Sequence, residues 1–266
     1  MLVCSLLLTG LLMVRCSMTF AQKEFYIPKA LITPVHDQKN QCHISAGRGG
    51  GWDLNMSFTM SHHFALFTSG TFDKGTKKRV TLFGDRYNLK KDDYALKAGL
   101  GWFHKTDKKR FSRVFEVYGG VGSYRVRSYG YFIDYSESID STIADFRNVF
   151  LQINISRIEK KQELTFAMRL AYSKYLRMEF FSYNLYTNSS DPKSEYSPLW
   201  GVTADPAIAY SYKISELKFN AQFGLSLPLT RAKIIHPAGY DYVSLATILG
   251  RIAVQYNFNF SKKNKM

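Results

Sequence analysis

The sequence predicts an all-β protein, a ten-stranded antiparallel up-and-down transmembrane β-barrel. Two observations predict this fold: long segments alternate residue by residue between apolar and polar side chains, and the connections between these segments alternate between short and long. A period of two gives a strand one apolar face and one polar face. Segments of about 9–11 residues have the length that a tilted strand needs to cross a bilayer.

The clearest alternation lies in residues 217–227, where Leu and Phe dominate one parity and Lys218, Asn220 and Gln222 lie on the other. Further segments show the same alternation with differing clarity: 41–48, 52–60, 64–72, 94–103, 111–126, 148–156, 164–173, 199–213 and 247–260. Phe150 departs from the pattern because it falls on the polar parity of its segment. Pro206 cannot donate a backbone hydrogen bond to a neighbouring strand, so we expect a bulge near Asp205.

The connections between the segments sort by length along the chain. Short ones lie at 61–63, 104–110, 159–163 and 214–216, and long ones at 73–93, 127–145, 183–198 and 230–242. The Gly-rich connection at 49–51 departs from this order, because it is short where a long one is expected. Membrane barrels have short periplasmic turns and longer outer loops, so both termini are expected to be periplasmic. Closure of the ring would remove the unpaired strand edge that lipid does not tolerate.

The two ends of the chain predict how it is processed. Residues 1–21 are interpreted as a signal peptide, because a short apolar stretch is followed by Thr19-Phe20-Ala21, which fits cleavage before Gln22. Lipidation at Cys16 is the alternative, although Arg15 fits a lipidation motif poorly. Residues 22–40 are expected to form an N-terminal periplasmic segment, 41–260 the barrel and 261–266 a basic C-terminal tail. A mature chain with Cys42 alone has no internal disulfide, and we expect a monomer.

The formal net charge is +15, and the basic residues are scattered between the strands. The chain has no helix-turn-helix pattern and no aromatic RNA-binding motif, so no nucleic-acid partner is expected. Basic residues at the rims of a barrel would meet the phosphates of lipid headgroups. We therefore expect outer-membrane lipid, including lipopolysaccharide phosphates, as the partner. A solvated basic rim without a specific ligand is the alternative.

The polar parity of the strands predicts which residues line the lumen. The ionisable ones form an expected polar network: Asp53, Lys97, Glu116, Arg169, Asp205, Lys218 and Arg251. A ten-stranded barrel is only slightly wider than the eight-stranded kind that side chains fill, and charges in a narrow space need partners. We expect a salt-bridged polar plug, with the glycines of the same parity making room for long side chains. An ion path or a small-ligand site is the alternative.

No motif for catalysis or for a cofactor emerges from the sequence. Gly119-Gly120-Val121-Gly122 lies inside a predicted strand with no helix after it, so it fails the structural context of a dinucleotide-binding loop. His62 and His63 are adjacent and lack a third ligand, so no metal site is expected. The outer loops carry residue types that barrel proteases use, but nothing in the sequence fixes their geometry: Asp134, Glu137, Asp140 and His236. No catalytic, cofactor-binding or metal-binding residues are predicted.

Several stretches resemble small outer-membrane β-barrel proteins of the Bacteroidota. These stretches are Phe25-Tyr26-Ile27-Pro28 with Thr33-Pro34, Gly51-Trp52-Asp53-Leu54, residues 115–122 and residues 205–210. The resemblance implies an outer-membrane barrel, sometimes lipoprotein-anchored, and supplies no catalytic residues. We expect a narrow or plugged lumen with a structural, adhesive or small-solute passage role. The alternatives are a barrel enzyme acting on lipid or peptide at the outer rim, and a secreted soluble β-barrel that binds an apolar ligand inside.

Overall fold

The structure is a computed structural model that describes residues 29–80, 86–132, 138–184, 189–190, 195–197, 200–230, 232–236, 239–243 and 247–260. Its strands are β1 (Gln41–Arg48), β2 (Trp52–Thr59), β3 (Phe64–Val80), β4 (Arg86–Asp107), β5 (Ser112–Phe132), β6 (Ser138–Glu159), β7 (Gln162–Asn184), β8 (Ser189–Ser190), β9 (Glu195–Ser197), β10 (Trp200–Ile214), β11 (Leu217–Pro228), β12 (Ala232–His236), β13 (Gly239–Val243) and β14 (Thr247–Asn259).

Ten of these strands form a closed antiparallel ring. Strands β1 to β7 pair in chain order, β10 pairs with β7 and β11, and β11 pairs with β14. The ring closes where β14 pairs with β1, from Gln41 opposite Asn259 to Arg48 opposite Ile252. The predicted ten-stranded up-and-down barrel is therefore confirmed. Strand β8 pairs antiparallel with the end of β7, and strands β9, β12 and β13 form a small separate sheet.

The two faces of each barrel strand differ in the way that the alternation predicts. Apolar side chains of one parity point out of the barrel and are exposed, as Ile252 and Leu96 are at 75% and 60%. Polar side chains of the other parity point in and are buried, among them Arg251 and Gln152. Phe150 keeps the parity of its polar neighbours and lies inside. The alternative of an apolar ligand-binding interior is wrong in its strand orientation, because the apolar rows face outward.

One end of the barrel has short turns, as predicted. Residues 160–161 connect β6 to β7, and residues 215–216 connect β10 to β11. Lys160 and Ser215 have φ angles of 52° and 56°, the left-handed conformation that tight two-residue hairpins require. Strand β1 begins and strand β14 ends at this same end of the barrel.

At the other end, much of what the sequence predicts as long loops is strand. The ladder between β3 and β4 continues to Val80 and Arg86, and the ladder between β5 and β6 continues to Tyr131 and Ile139. The prediction of loops at 73–93 and 127–145 was wrong because backbone hydrogen bonds extend an antiparallel pair whatever its side-chain pattern. Alternation of apolar and polar residues in the sequence therefore predicts only the part of a strand that has one apolar face, and not the full length of the strand.

The bulge expected near Asp205 is absent. Strand β10 keeps one register with β11, from Ala204 opposite Leu227 to Ala207 opposite Gly224, and its register with β7 is also continuous. Residues 205 and 206 have no partner in the β10–β11 ladder, so the missing N–H of Pro206 is accommodated without an added residue. A register shift occurs instead between β6 and β7, at Asp145 and Phe146.

Small residues on the inner face leave room for aromatic rings. Gly99 on β4 lies opposite Gly120 on β5. A Cβ atom on Gly99 would lie 2.6 Å from the Cα of Gly120 and 2.8 Å from the Phe67 ring, and a Cβ on Gly120 would lie 2.8 Å from the Phe150 ring. Glycine at both positions therefore lets the two strands and two rings pack closely.

We predict that Gly99→Val destabilises the barrel by about 1–3 kcal/mol or more, because the new side chain meets backbone that cannot move aside. The free energy of unfolding, measured by urea titration in detergent micelles, checks this. Gly250→Val is the matched control, because nothing lies within 4 Å of a Cβ placed there. Equal stability of the two variants would contradict the packing described.

Candidate functional site

A segment N-terminal to β1 fills the lumen. Residues 29–36, here named the plug segment, are buried from Lys29 to His36 apart from Ala30, which is partly exposed. The segment forms no strand; it runs down the lumen and leaves it at Asp37, next to the start of β1. This corrects the expectation that residues 22–40 lie in the periplasm, for the part that the structure describes. The plug segment is held inside the barrel because the lumen offers both apolar and polar partners.

Two apolar side chains anchor the plug segment. Leu31 packs against Ala167, Ala207 and Leu249. Ile32 packs in a cluster with Phe67, Tyr118, Phe150 and Ala171. The aromatic rings of Phe67 and Tyr118 meet edge to face at 5.5 Å, an arrangement that aromatic pairs favour. Burial of Leu31 and Ile32 contributes about 1.5–3 kcal/mol each relative to exposure in water.

Two glutamines of the wall bind the backbone of the plug segment in the way that a neighbouring strand would. The side-chain amide of Gln222 accepts from the Leu31 N–H at 2.9 Å and donates to the Leu31 carbonyl at 3.5 Å. Gln152 does the same for Ile32, at 3.4 Å and 2.6 Å. A primary amide carries one acceptor and two donors, so each glutamine satisfies both backbone groups of one residue.

Other wall side chains donate to the carbonyl oxygens of the segment. The Arg169 guanidinium donates to Lys29 O at 3.0 Å, and Lys97 Nζ donates to Ala30 O at 3.1 Å. Asn154 adds a bond to Ile32 O at 2.9 Å. Pro34 O accepts from Lys218 Nζ at 3.0 Å and from Gln255 at 3.3 Å. Hydrogen bonds to charged donors are stronger than neutral ones, so these cations help to hold the segment.

His36 ends the plug segment in a compact polar cluster. Its backbone N–H donates to Glu116 Oε1 at 2.8 Å, and its ring Nδ1 lies 2.8 Å from the Tyr118 hydroxyl and 3.2 Å from Glu116 Oε1. Ring Nε2 lies 3.0 Å from Ser57 Oγ. His36 and Glu116 are fully buried. Each polar group of the His36 ring therefore has a partner from the wall.

The seven residues of the predicted lumen network are all buried, but they do not form one cluster. Arg251 binds Asp53 Oδ1 with two nitrogens, at 2.6 Å and 2.8 Å. Arg169 binds Asp205 Oδ2 at 2.7 Å. The remaining three bind other groups: Lys218 pairs with Glu163 at 2.8 Å, Glu116 with His36, and Lys97 with the carbonyl of Ala30. The wall thus combines ion pairs with bonds to the plug segment.

A small cavity lies between the plug segment and strands β1, β2 and β14. Its walls include Thr33 and Pro34 of the segment together with His43, Asn55 and Arg251. His43 Nε2 and Asp53 Oδ2 are buried near it without a hydrogen-bond partner in the described part of the chain. Buried polar atoms of this kind are commonly satisfied by an ordered water.

Sequence reasoning missed the plug segment and the uncharged residues that hold it, among them Gln152, Asn154, Gln222 and Gln255. One signal was available: Ala30-Leu31-Ile32 begins an apolar run in a segment expected to lie in water. An apolar run outside the strands needs a surface to cover it. The glutamines and asparagines carry no comparable signal, since inward polar residues occur along every strand.

The structure bears on the histidines and loop residues that the sequence singles out. The described residues hold no group of three or more His, Cys, Asp or Glu side chains able to bind a metal ion. His63 instead stacks near Trp102 and His104 at the short-turn end. Asp134 and Glu137, together with the side chains of Asp140 and His236, lie outside the described part, as do the proposed signal peptide and Cys16. Within the described ranges, no helix has the length and apolar character to cross a membrane.

Comparison with known proteins identifies no family for this chain. No family profile matches the sequence, and no curated protein matches it. Four solved chains match the structure. One is the CymD monoaromatic hydrocarbon channel, which is 7% identical with a TM-score of 0.22 over 84% of this chain and 89% of that one. A TM-score this low carries no information about activity, substrate or family.

We predict that Arg251→Met destabilises the barrel by about 3–5 kcal/mol, because it leaves the buried Asp53 carboxylate without its cation. The double variant Arg251→Met/Asp53→Leu is expected to recover most of this loss, since it removes both charges. Urea unfolding of the three proteins in micelles checks the prediction. If the single and the double variant lose the same free energy of unfolding, then water, rather than Arg251, solvates Asp53.

Proposed function

We propose that the protein is an outer-membrane β-barrel that is closed at rest by its plug segment and passes small polar solutes when that segment moves. The observation that carries the proposal is the plug segment itself, a non-strand piece of chain that fills a polar lumen.

The outward apolar rows support embedding in a membrane. On β7 the exposed large apolar side chains run from Leu164 to Tyr172, and on β11 they run from Leu217 to Leu227. The rows cover about 9–11 residues, the length that a tilted strand needs to cross the hydrocarbon layer. A soluble protein rarely exposes a continuous apolar surface of this size. The closed ring leaves no strand edge unpaired, which is the condition for a sheet in lipid.

Aromatic side chains lie at both limits of the apolar rows. Tyr172 and Trp200 stack at 6.0 Å where the rows end on the long-hairpin side. Tyr256, Phe258 and Phe260 form a chain of ring contacts on the short-turn side. Membrane barrels carry such girdles at the two interfaces with water. The apolar rows and the girdles together define the surface that we propose to lie in lipid.

The way in which the plug segment is held supports its displacement. Within the described part of the chain, residues 29–36 make no backbone-to-backbone hydrogen bond to the barrel. Apolar packing and hydrogen bonds with wall side chains hold them, together with one bond from Lys29 Nζ to the Gly50 carbonyl at 2.7 Å, whereas the barrel ladders pair strand with strand. The ten strands therefore keep their backbone hydrogen bonds when the segment leaves. Local elements with few backbone bonds open at lower free energy than the whole fold.

The wall that the plug segment covers indicates a polar solute. Displacement of the segment would expose Lys97, Gln152 and Gln222, which hold its backbone, beside the Arg169–Asp205 pair. Opposite charges and amides favour small polar or zwitterionic solutes. An apolar solute would meet unfavourable contacts along most of this path.

A second candidate is a contact or adhesive role. Strands β4 to β7 have 21 to 23 residues, about twice the length needed to cross a bilayer. The excess projects beyond the apolar rows at the long-hairpin end, where a paired hairpin presents a firmer surface than an irregular loop.

The proposal of an outer-membrane barrel also includes the signal peptide at 1–21 and kinship with the small Bacteroidota barrels. The sequence patterns that indicate them support both.

Embedding predicts that Ile252→Arg destabilises the protein in lipid by about 2–4 kcal/mol, the cost of an Arg side chain facing the middle of the bilayer. The midpoint of urea unfolding in phospholipid vesicles measures it. Glu216→Arg is the matched control, because residue 216 lies in an exposed short turn. If both variants match the parent protein, Ile252 does not face lipid.

Closure by the plug segment predicts that Ile32→Asp opens the lumen, because a carboxylate in the cluster of Phe67, Tyr118 and Phe150 has no cation to pair with. Single-channel recording in planar bilayers is expected to show a steady current for this variant and none for the parent. Gln38→Asp, at an exposed position below the lumen, is expected to stay closed. A silent Ile32→Asp barrel that inserts normally would contradict passage through the lumen.

A further inference from the structure

Two cations lie directly opposite each other on the outer face of the barrel. Arg147 on β6 is the register partner of Lys174 on β7, and both side chains are exposed. Side chains opposite each other on neighbouring antiparallel strands are about 4.5–5.5 Å apart at Cβ, and like charges there are destabilising. Neither residue has a carboxylate or other hydrogen-bond partner among the described side chains.

A second like-charged pair in the same sheet shows how the protein compensates such repulsion. Arg113 on β5 lies opposite Arg157 on β6 near the short-turn end. Both guanidinium groups lie over the Phe111 ring, at 5.3 Å and 4.5 Å, and Arg157 also binds Glu159 at 2.9 Å. The Arg113–Arg157 pair therefore has an aromatic ring under both guanidinium groups and an anion of its own, whereas the described side chains supply neither a cation–π contact nor a carboxylate to Arg147 or Lys174.

A third cation lies beside the Arg147–Lys174 pair. Arg125 on β5 is diagonal to Arg147, because its register partner is Asp145. The nearest carboxylate, Asp145, is bound by Arg127 at 2.6 Å and lies 3.8 Å from Arg125. One carboxylate thus faces Arg125 and Arg127, and no carboxylate among the described side chains pairs with Arg147 or Lys174. The group Arg125, Arg147 and Lys174 is here named the basic triad.

The position of the basic triad sets its depth relative to the apolar rows. Two residues along each strand toward the short-turn end, the next outward side chains are Val149 and Tyr172, which are both exposed. Lys174 is also the register partner of Trp200, which stacks on Tyr172. The triad therefore begins where the apolar rows end, at the level of the aromatic girdle. Lipid headgroup phosphates lie at this level of a bilayer.

We propose that the basic triad binds the phosphate groups of a lipid in the outer leaflet of the outer membrane, of the lipid A kind. A phosphate supplies the anion that the facing Arg147 and Lys174 lack, and its acyl chains lie along the apolar rows below. Arg favours bidentate contact with phosphate oxygens, and Lys adds a point charge. This inference rests on the proposed embedding in the outer membrane and names the partner of the barrel surface there.

The test uses the full-length protein refolded in detergent that contains no lipopolysaccharide. Binding of diphosphorylated lipid A, of the same lipid without phosphates and of inorganic phosphate is measured by native mass spectrometry and by thermal unfolding. The variant Arg147→Gln/Lys174→Gln removes the facing charges, and Arg113→Gln/Arg157→Gln removes the same number at the other end. Heat-modifiable gel mobility establishes that both variants are folded.

We expect the Arg147→Gln/Lys174→Gln variant to bind lipid A about tenfold or more weakly, as the loss of charge-assisted hydrogen bonds implies. The control variant is expected to bind like the parent, and the parent is expected to prefer the phosphorylated lipid. Equal binding by both variants, or equal binding of the two lipids, would overturn the proposal. Stabilisation by inorganic phosphate alone at equal concentration would assign the site to a free anion. Recovery of the parent protein in the aqueous fraction of cells would instead refute the proposed embedding.

Discussion

The need to satisfy buried polar groups organises this barrel at two levels. The backbone groups of ten strands pair around a closed ring, so that no edge is left open. Inside the ring, polar side chains of the wall face one another across a space slightly wider than the one that eight strands would enclose and fill. The plug segment occupies that space, and its backbone carbonyls and N–H groups serve as partners for the wall.

Charged and uncharged side chains of the wall have different roles in this arrangement. The ion pair Arg169–Asp205 joins the neighbouring strands β7 and β10, and Arg251–Asp53 joins β14 to β2 across β1. Both pairs neutralise charge within the wall. Gln152 and Gln222 instead reach into the lumen and pair with peptide groups of the plug segment. Removal of the segment leaves the ion pairs within the wall in place, because they do not pass through it. The filling of the lumen thus depends on the segment, and the closure of the ring does not.

The architecture could be predicted from the sequence because its cause is local. Each strand such as β11 carries its own alternation of apolar and polar side chains. An even number of strands places both ends of the chain on the short-turn side, so that the first and last strands can pair as antiparallel neighbours and close the ring. The ends of the strands were not predictable in this way, since the hairpins beyond Asp73 and Arg127 lack an apolar face. The accommodation of Pro206 without a bulge depends on the ladder geometry of two neighbours, which no local pattern records.

The lumen was predictable only in part, for a related reason. Parity indicates that Asp53, Lys97 and Arg251 point inward, but it does not indicate which residue lies across the barrel from another. Pairing between Gln222 and Leu31 joins positions 191 residues apart, and no spacing rule connects them. The apolar side chains of Leu31 and Ile32 were the clue that the N-terminal segment is not a solvated leader.

The position of the plug segment in cells can be measured most directly by photo-cross-linking. A diazirine amino acid is placed at position 32 of the full-length protein, the cell fraction that contains the protein is irradiated, and the adducts are mapped by mass spectrometry. Adducts with Phe67, Tyr118 and Phe150 are the expected result, because these side chains surround Ile32. Adducts confined to other proteins or to lipid, with none on the barrel wall, would show that the segment lies outside the lumen.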